Sequence, residues 1–456
     1  MNLEDITLEE DNKSFIMFGC WNNLNVKKGK PISCLEKVME KMSEHLISNP
    51  EIKHIVVAGD NYYPDKRKTP KDEEAKEEAK DLKQKIIYTE KLKEGFRMLS
   101  SHRNENVKID MIFGNHDFET NGKKKNIYVE EIQDGKEEKD CIITKEELNI
   151  ASELNIDMKL YDVQQLNPET VLILFDTSIY SGDVDSYTLQ CYKIAKQNLE
   201  PASEEDIQID RLDEEDPIPI STEEQIQQLQ KEQQHKIIEK ISNLITDKHA
   251  IQNVIMVGHH PIDGLRKKVK DGKVKIKRID DITKHIQPFL RSIYSQFQDI
   301  PKYTYLCADY HSYQKGIINI EIPSSTASGH EYMTIMQYIV GTGGTELDDE
   351  LDIEKEKIPS ENRDPPKDDT PHPEYIIKEN KKTCGFLECR VDGPSVNFTF
   401  VDATPAEAAS EHVGGKSRKR RRKPRVATYK RRWPYHQKTK KQRRKTRKCK
   451  SNPKYK

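Results

Sequence analysis

The sequence predicts an α/β fold in which strands buried on both faces form a layered sandwich. Three observations carry this. Short apolar runs of five to eight residues recur along the chain and end in turn residues. Most are rich in Val, Ile, Phe or Tyr, the residues that suit strands. The runs are nearly continuous rather than alternating, which marks strands covered on both sides.

The runs are Ser14–Cys20, His54–Ala58, Val107–Phe113 and Val171–Asp176, then Asn253–Val257, Tyr303–Cys307, Met333–Val340 and Val396–Val401. Two segments between them read as helices. Cys34–Ser48 has apolar residues at 35, 38, 39, 42, 46 and 47, an amphipathic spacing. Glu223–Ile245 is the second. Pro70–Lys85, Thr120–Asp140, Glu204–Asp216 and Glu346–Lys382 are charged and read as insertions on the scaffold.

Composition bounds the rest. The chain has 456 residues, 34% hydrophobic and 34% charged. Globular chains run about 45–50% apolar and about 25% charged, so part of this one lies outside a packed core. No apolar run approaches the roughly 18–20 residues that span a bilayer. Met1–Asn12 is acidic and lacks a secretory pattern, so an intracellular protein, not secreted, is expected. Eight scattered Cys without metal-finger spacing predict free thiols in a reducing compartment.

The net charge of −2 conceals a division. Residues 412–456 hold 22 of the 76 Lys and Arg and none of the 78 acidic residues. Taking 22 from 76 leaves 54 basic against 78 acidic residues in 1–411, a net of −24. Like-charge blocks repel themselves and act as disordered interaction arms. The expected organisation is a domain over 1–402, then a linker and disordered basic tail over 403–456. The tail's partners would be nucleic acid or an acidic surface. The plainer reading of the tail, ahead of nucleic-acid contact, is a nuclear-localisation or solubility role.

The chemistry sits where the strands end. Gly59-Asp60-Asn61-Tyr62-Tyr63 follows the second run and Gly114-Asn115-His116-Asp117 the third. Gly258-His259-His260-Pro261 follows the fifth, and Ala308-Asp309-Tyr310-His311 the sixth. Ligands bind at strand carboxyl ends in open α/β sheets. Each motif alone is an ordinary turn signal. Four in order, each directly after an apolar strand, point to one metal site.

These motifs resemble the calcineurin-like metallophosphoesterase superfamily, and GDNYY is most similar to its purple (tartrate-resistant) acid phosphatase branch. YLCADYHSYQ and YIVGTGG resemble later segments of that branch. The resemblance covers roughly residues 14–345, with final strands to about 402. It implies a calcineurin-like β-sandwich of two mixed sheets flanked by helices, and two divalent or trivalent ions, Fe, Mn or Zn.

Asp60 resembles the bridging carboxylate. Tyr63 and His311 correspond to ligands of the first metal, and Asn115 and His259 to ligands of the second. His116 corresponds to the residue that contacts phosphate and protonates the leaving oxygen, so Asp60 and His116 are the expected catalytic residues. Two positions depart from the pattern. Cys20 stands where the family has an Asp on the first metal, with Asn22 or Asn23 as alternative oxygen donors. Asp309 stands where the family has a His on the second.

The implied activity is phosphate monoester or diester hydrolysis at a two-metal site. The alternative is a catalytically impaired binding or scaffold protein whose basic tail contacts nucleic acid. A third reading joins them, a nuclease held to nucleic acid by the tail. The Gly-Gly-Lys and basic tail is similar to tails of proteins of large DNA viruses, which adds a viral factory or virion to the cytoplasm and nucleus as expected locations. His330, Asp263, His54 and His102 read as surface or satisfied side chains. Asp117 reads as a support of its loop, and Cys384 and Cys389 as ordinary thiols.

Overall fold

A computed structural model describes residues 13–22, 34–63, 90, 92–118, 141–182, 184–200, 221–270, 273–279, 282–297, 302–322, 331–345, 347–350 and 374–404. These all fall within the unit Met1–Pro405. The basic tail, the segments 70–85, 120–140 and 204–216, Asn23 and His330 lie outside them.

The chain is α/β, with two large mixed sheets. One has the order β15-β14-β1-β2-β3-β4. Its strands are β1 (Phe15–Phe18), β2 (His54–Ala58), β3 (Lys108–Ile112), β4 (Asp157–Lys159), β14 (Gly385–Asp392) and β15 (Ser395–Asp402). β1 to β4 run parallel, while β14 is antiparallel to β1. The other has the order β13-β11-β12-β10-β7-β6-β5. Its strands are β5 (Tyr161–Asn167), β6 (Thr170–Phe175), β7 (Asn253–Val257), β10 (Lys302–Cys307), β11 (Tyr313–Ile322), β12 (Glu331–Val340) and β13 (Glu374–Lys381). β6, β7, β10 and β12 are parallel. A separate ribbon pairs β8 (Gly264–Lys270) with β9 (Lys273–Ile279).

The alternation of side chains along each strand divides the core in two. Phe15, Met17, Val56 and Ala58 of the first sheet meet Leu172, Leu174, Ile255, Val257 and Leu306 of the second in one apolar layer. The intervening residues Ile16, Phe18, Ile55 and Val57 face outward with the helices. The helices are α1 (Cys34–Ser48), α2 (92–101), α3 (Ile142–Glu153), α4 (Ser186–Leu199), α5 (Thr222–Leu244) and α6 (Thr283–Gln296). α1 buries Leu35, Val38, Met39, Met42 and Leu46, five of its predicted apolar positions. α5 starts in a capping box, where the Glu224 N–H donates to Ser221 Oγ and Ser221 N–H donates to the Glu224 carboxylate.

Two sequence expectations are corrected. The span Glu346–Lys382 is not wholly an insertion, because β13 occupies eight of its last nine residues and pairs with β11. Its run of Lys and Glu hid an edge strand. The cysteines are not all free. Cys34 bonds to Cys384 and Cys141 to Cys191. Folding brings Cα atoms 350 residues apart in sequence to 5.8 Å, a proximity that spacing alone does not reveal. Disulfides persist in oxidising surroundings, so the free-thiol reading fails for these four. Cys20, Cys307 and Cys389 are buried thiols. No described helix is long and apolar enough to cross a membrane.

Candidate metal centre

Asp60 is the hub. It follows Gly59 at the end of β2, and its buried carboxylate accepts from side chains and backbone of the surrounding loops and strand ends. The Tyr63 hydroxyl donates to Oδ2 at 2.5 Å, and the Cys20 thiol reaches the same oxygen at 3.6 Å. The His116 backbone N–H donates to Oδ1 at 3.2 Å. His259 Nε2 lies 3.2 Å from Oδ1, and His116 Nε2 lies 4.0 Å from Oδ2. Tyr63 Oη extends the chain of contacts to His311 Nε2 at 3.2 Å.

The strand ends build this cluster from both sheets. β1, β2 and β3 deliver Cys20, Asp60 and Asn115 with His116, while β7 and β10 deliver His259 and Asp309 with His311. Closeness between the loops requires glycine. A Cβ on Gly59 would lie 2.7 Å from His259 Nδ1 and 2.7 Å from Gly114 N, and its φ is +76°. Cys20, Asp60 and Asp309 also hold positive φ, at 52°, 53° and 52°. Such residues cost about 1–3 kcal/mol each and persist where the surroundings over-determine them. Three of the four non-glycine residues with positive φ among the described residues are thus predicted metal ligands.

A second layer fixes the loops. Asn61 donates its backbone N–H to Asp117 Oδ1 at 2.8 Å and its amide to Asp117 Oδ2 at 2.9 Å. Trp21 Nε1 donates to Asn61 Oδ1 at 3.1 Å, and Gly114 N–H donates to Asp117 Oδ2 at 2.7 Å. The loops after β1, β2 and β3 are thereby tied together, with Asp117 supporting its loop as expected. Thr177 does the same after β6. Its Oγ1 accepts from the N–H groups of His259 at 3.1 Å and His260 at 2.9 Å. Its hydroxyl proton then faces His260 Nδ1 at 2.9 Å. Burial, with His259 alongside, pushes His260 down to about 4, so this imidazole is neutral at pH 7.

The electrostatics converge on Asp60. Burial would raise its pKa, but the His259 and His116 rings hold it well below the usual carboxylate range. Burial would lower His259, but the Asp60 carboxylate reverses this and pushes it up to about 10. Burial and the Asp60 and Asp309 charges raise the Cys20 thiol.

Cys20, Asp60 and His259 form a buried group able to hold a metal, with ligand atoms all within 4.8 Å of one another. The arrangement of His259 fits a cation. Its Nδ1 lies 2.7 Å from the Ala58 carbonyl oxygen and so carries a hydrogen. Its Nε2 then faces Asp60 Oδ1 and, in the assigned amide orientation, Asn115 Oδ1, both at 3.2 Å. Two oxygen acceptors cannot be satisfied by a bare lone pair. Either a second proton or a bound cation must lie between them. Metal-ligating histidines commonly donate their other N–H to a carbonyl in this way.

Of the expected site residues, Cys20, Tyr63, His116 and His259 contact Asp60 directly. His311 joins through Tyr63, and Asn115 through His259. Asp309 is near enough for its charge to act on Cys20 and His259, but lies outside the three-residue group. His54 is buried against Asp110 at 2.8 Å, and Asp263 is paired with Arg278. His102 Nδ1 lies 2.8 Å from the Met98 carbonyl oxygen. Sequence reasoning missed Thr177 and Asn61. Asn61 sits inside a quoted motif, whereas Thr177 follows a strand that ends in an ordinary Asp-Thr-Ser.

No family model and no curated protein matches the chain. Fourteen chains of solved structures match. One is described as GAP50, the anchor in the inner membrane complex of Plasmodium. It is 10% identical at a TM-score of 0.37, over 87% of this chain and 86% of that one. At that level the likeness bears on neither family nor activity.

Proposed function

We propose that the chain hydrolyses phosphate esters at a metal centre built on Asp60. The observation that supports this most is the face of His259, a ring nitrogen turned toward two oxygen acceptors. Cys20, Asp60 and His259 are the buried group able to hold an ion; with Asp60 shared, Tyr63 and His311 would complete a site beside Cys20, and Asn115 and Asp309 one beside His259. A bound metal supplies a Lewis acid for the phosphoryl oxygen and hydroxide from water at neutral pH.

The protein's own residues do the rest. Asp60, kept ionised by His259 and His116, holds negative charge at the centre. Tyr63 Oη orients His311 through its 3.2 Å contact. His116 is half-buried, with its ring centroid 4.8 Å from that of Tyr63. An imidazole there can hold a proton and give it to the leaving oxygen. Thr177 and the Ala58 carbonyl fix the orientation of His259.

A specific observation favours a second reading. Asp60 already accepts from Tyr63, Cys20, His116 N–H and His259, a complete set without any ion. A binding protein on the same scaffold would use the centre for structure alone.

Metal content of the full-length protein, measured alongside hydrolysis of a chromogenic phosphate ester, separates the two. The expected result is bound metal with activity, both lost in Asp60→Asn, and activity alone reduced at least about 100-fold in His116→Gln. If iron occupies the Tyr63 site, a visible absorption band vanishes in Tyr63→Phe. No metal after reconstitution with Fe, Mn and Zn, together with no hydrolysis, would overturn the enzyme reading in favour of the second.

A further inference from the structure

The loop that carries His259 runs straight into the ribbon of β8 and β9. Residues 264–279 read GLRKKVKDGKVKIKRI, with eight Lys or Arg and one Asp. They interrupt a body whose residues 1–411 sum to −24. The antiparallel register sets Arg266 opposite Lys277, Lys268 opposite Lys275, and Lys270 opposite Lys273. Positions that oppose one another share a face, and the next pair on that face is two residues along, about 6.8 Å. By register, three consecutive opposed positions on one face of the ribbon are Lys or Arg. Like charges directly opposite destabilise a sheet. A two-stranded ribbon, itself marginal in water, keeps such a face only at a cost in stability.

The ribbon is anchored at its root. Leu265 is buried, its carbonyl accepts from Gln314 Nε2 at 2.5 Å, and Arg278 Nε donates to the buried Asp263 at 2.9 Å. The root also abuts the metal centre. A Cβ on Gly264 would lie 2.4 Å from the ring of Tyr310, the residue between Asp309 and His311. Arg266 Nε pairs with Asp348 at 2.7 Å. The His311 N–H reaches the Asp348 carboxylate at 3.3 Å, and the Asp348 N–H donates to the His311 carbonyl at 2.8 Å. Lys267 forms a β-bridge with Asp349 beside it. The cationic face thus begins two contacts from a predicted metal ligand.

We propose that β8 and β9 form a nucleic-acid-binding ribbon at the rim of the Asp60 centre, making the phosphodiester backbone the substrate class of that centre. The substrate half, and the choice of nucleic acid over another polyanion, rest on the phosphate-ester reading above; polyanion binding by the ribbon does not. Polyanion phosphates neutralise paired cations and release counterions, which supplies much of the affinity for nucleic acid. A two-stranded β-ribbon also fits the major groove of a duplex. An acidic peptide would answer the charge, but a chain of phosphates answers both the charge and the phosphate chemistry expected where the ribbon begins.

The test uses the full-length chain and a labelled oligonucleotide, single- or double-stranded, with a chelator present so that nothing is cleaved. Fluorescence anisotropy across a salt series gives affinity and salt slope. The variant replaces Lys268→Gln, Lys270→Gln, Lys273→Gln and Lys275→Gln together. Its affinity should fall about tenfold or more, and its slope of log K against log salt should flatten by about 3. Its melting temperature in low salt should hold or rise, because repulsion is removed, which guards against a misfolded variant. In the wild-type chain, amide exchange over 264–279 should slow when oligonucleotide binds.

Unchanged affinity and slope in the variant, or unchanged exchange over the ribbon, would assign binding to the basic tail and overturn the proposal. Equal binding of a poly-glutamate peptide at the ribbon would overturn the choice of nucleic acid. Without chelator, the variant should raise KM for the oligonucleotide while chromogenic-ester hydrolysis stays unchanged. If neither protein hydrolyses any ester yet the ribbon still binds, the enzyme reading and the substrate half fail while the binding half stands.

Discussion

At the residue scale, the centre is a set of strained backbones converging on one carboxylate. Cys20 is the least comfortable of them, since a left-handed backbone suits Asp and Asn better than Cys. Its N–H donates to the Gly59 carbonyl at 3.1 Å, and its side chain is fully buried beside Asp60. Cys20→Asp relieves the backbone but sets a second carboxylate against Asp60 in a dry site. Without metal, two such charges repel and one must take up a proton. With a divalent ion they become ligands. The metal-stripped variant should therefore melt several degrees below the wild type, and Mn²⁺ or Zn²⁺ should restore it. Thermal melts with and without metal check this. A variant whose melting temperature ignores metal would mean that no ion sits beside residue 20.

At the element scale, the parallel strands and their terminal motifs were legible because burial on both faces produces unbroken apolar runs. His54–Ala58 and Asn253–Val257 match β2 and β7 residue for residue. Strands with one polar face were legible only in part: β15 was read as Val396–Val401, but β11 and β13 were not. β11 alternates Ile with Asn and Glu over its second half, and β13 is mostly polar, so both resemble loops in composition. β8 and β9 were overlooked although Asp271-Gly272 between alternating segments is a strong hairpin signal. The residues that gather round Asp60 were readable in the sequence, because most follow closely on a glycine or alanine that ends a strand. The supporting Thr177 was not, because its role depends on β6 and β7 lying side by side in the sheet.

Elements are also joined by charge. Asp110 on β3 is fully buried and meets His54 of β2 at 2.8 Å and Gln164 of β5 at 2.6 Å, so one carboxylate links the two sheets. Burial would raise its pKa, but bonds from His54, Lys108 and Gln164 hold it well below the usual range. A depressed carboxylate stabilises the fold above its unfolded value, about 3.9, and loses that contribution as pH falls toward its folded value. Asp110→Asn should cost about 3 kcal/mol at pH 7, since it leaves His54 without its buried partner. The gap to wild type should narrow near pH 3, where the wild type is losing the same contribution. Urea midpoints at the two pH values measure it, and a gap that widens in acid would contradict this role.

At the scale of the whole molecule, positive charge is placed in two ways. The tail holds 22 cations in 45 residues, whereas the ribbon holds eight in a defined register rooted beside the Asp60 cluster. The two should therefore act differently on the same polyanion. Deleting 412–456 removes the larger number of phosphate contacts, so overall affinity and salt slope should fall more than in the ribbon variant. The deletion should leave the orientation of a bound strand at Asp60 unchanged, because the ribbon that holds it there remains. For an oligonucleotide substrate, tail deletion should then raise KM at high salt and low substrate but leave kcat at saturation intact. The ribbon variant should lower kcat as well, since a strand held by the tail alone seldom presents its backbone to the centre. Steady-state kinetics of the two variants at matched salt measure this split. Equal effects on kcat and KM from both would mean that tail and ribbon serve as one undifferentiated electrostatic tether.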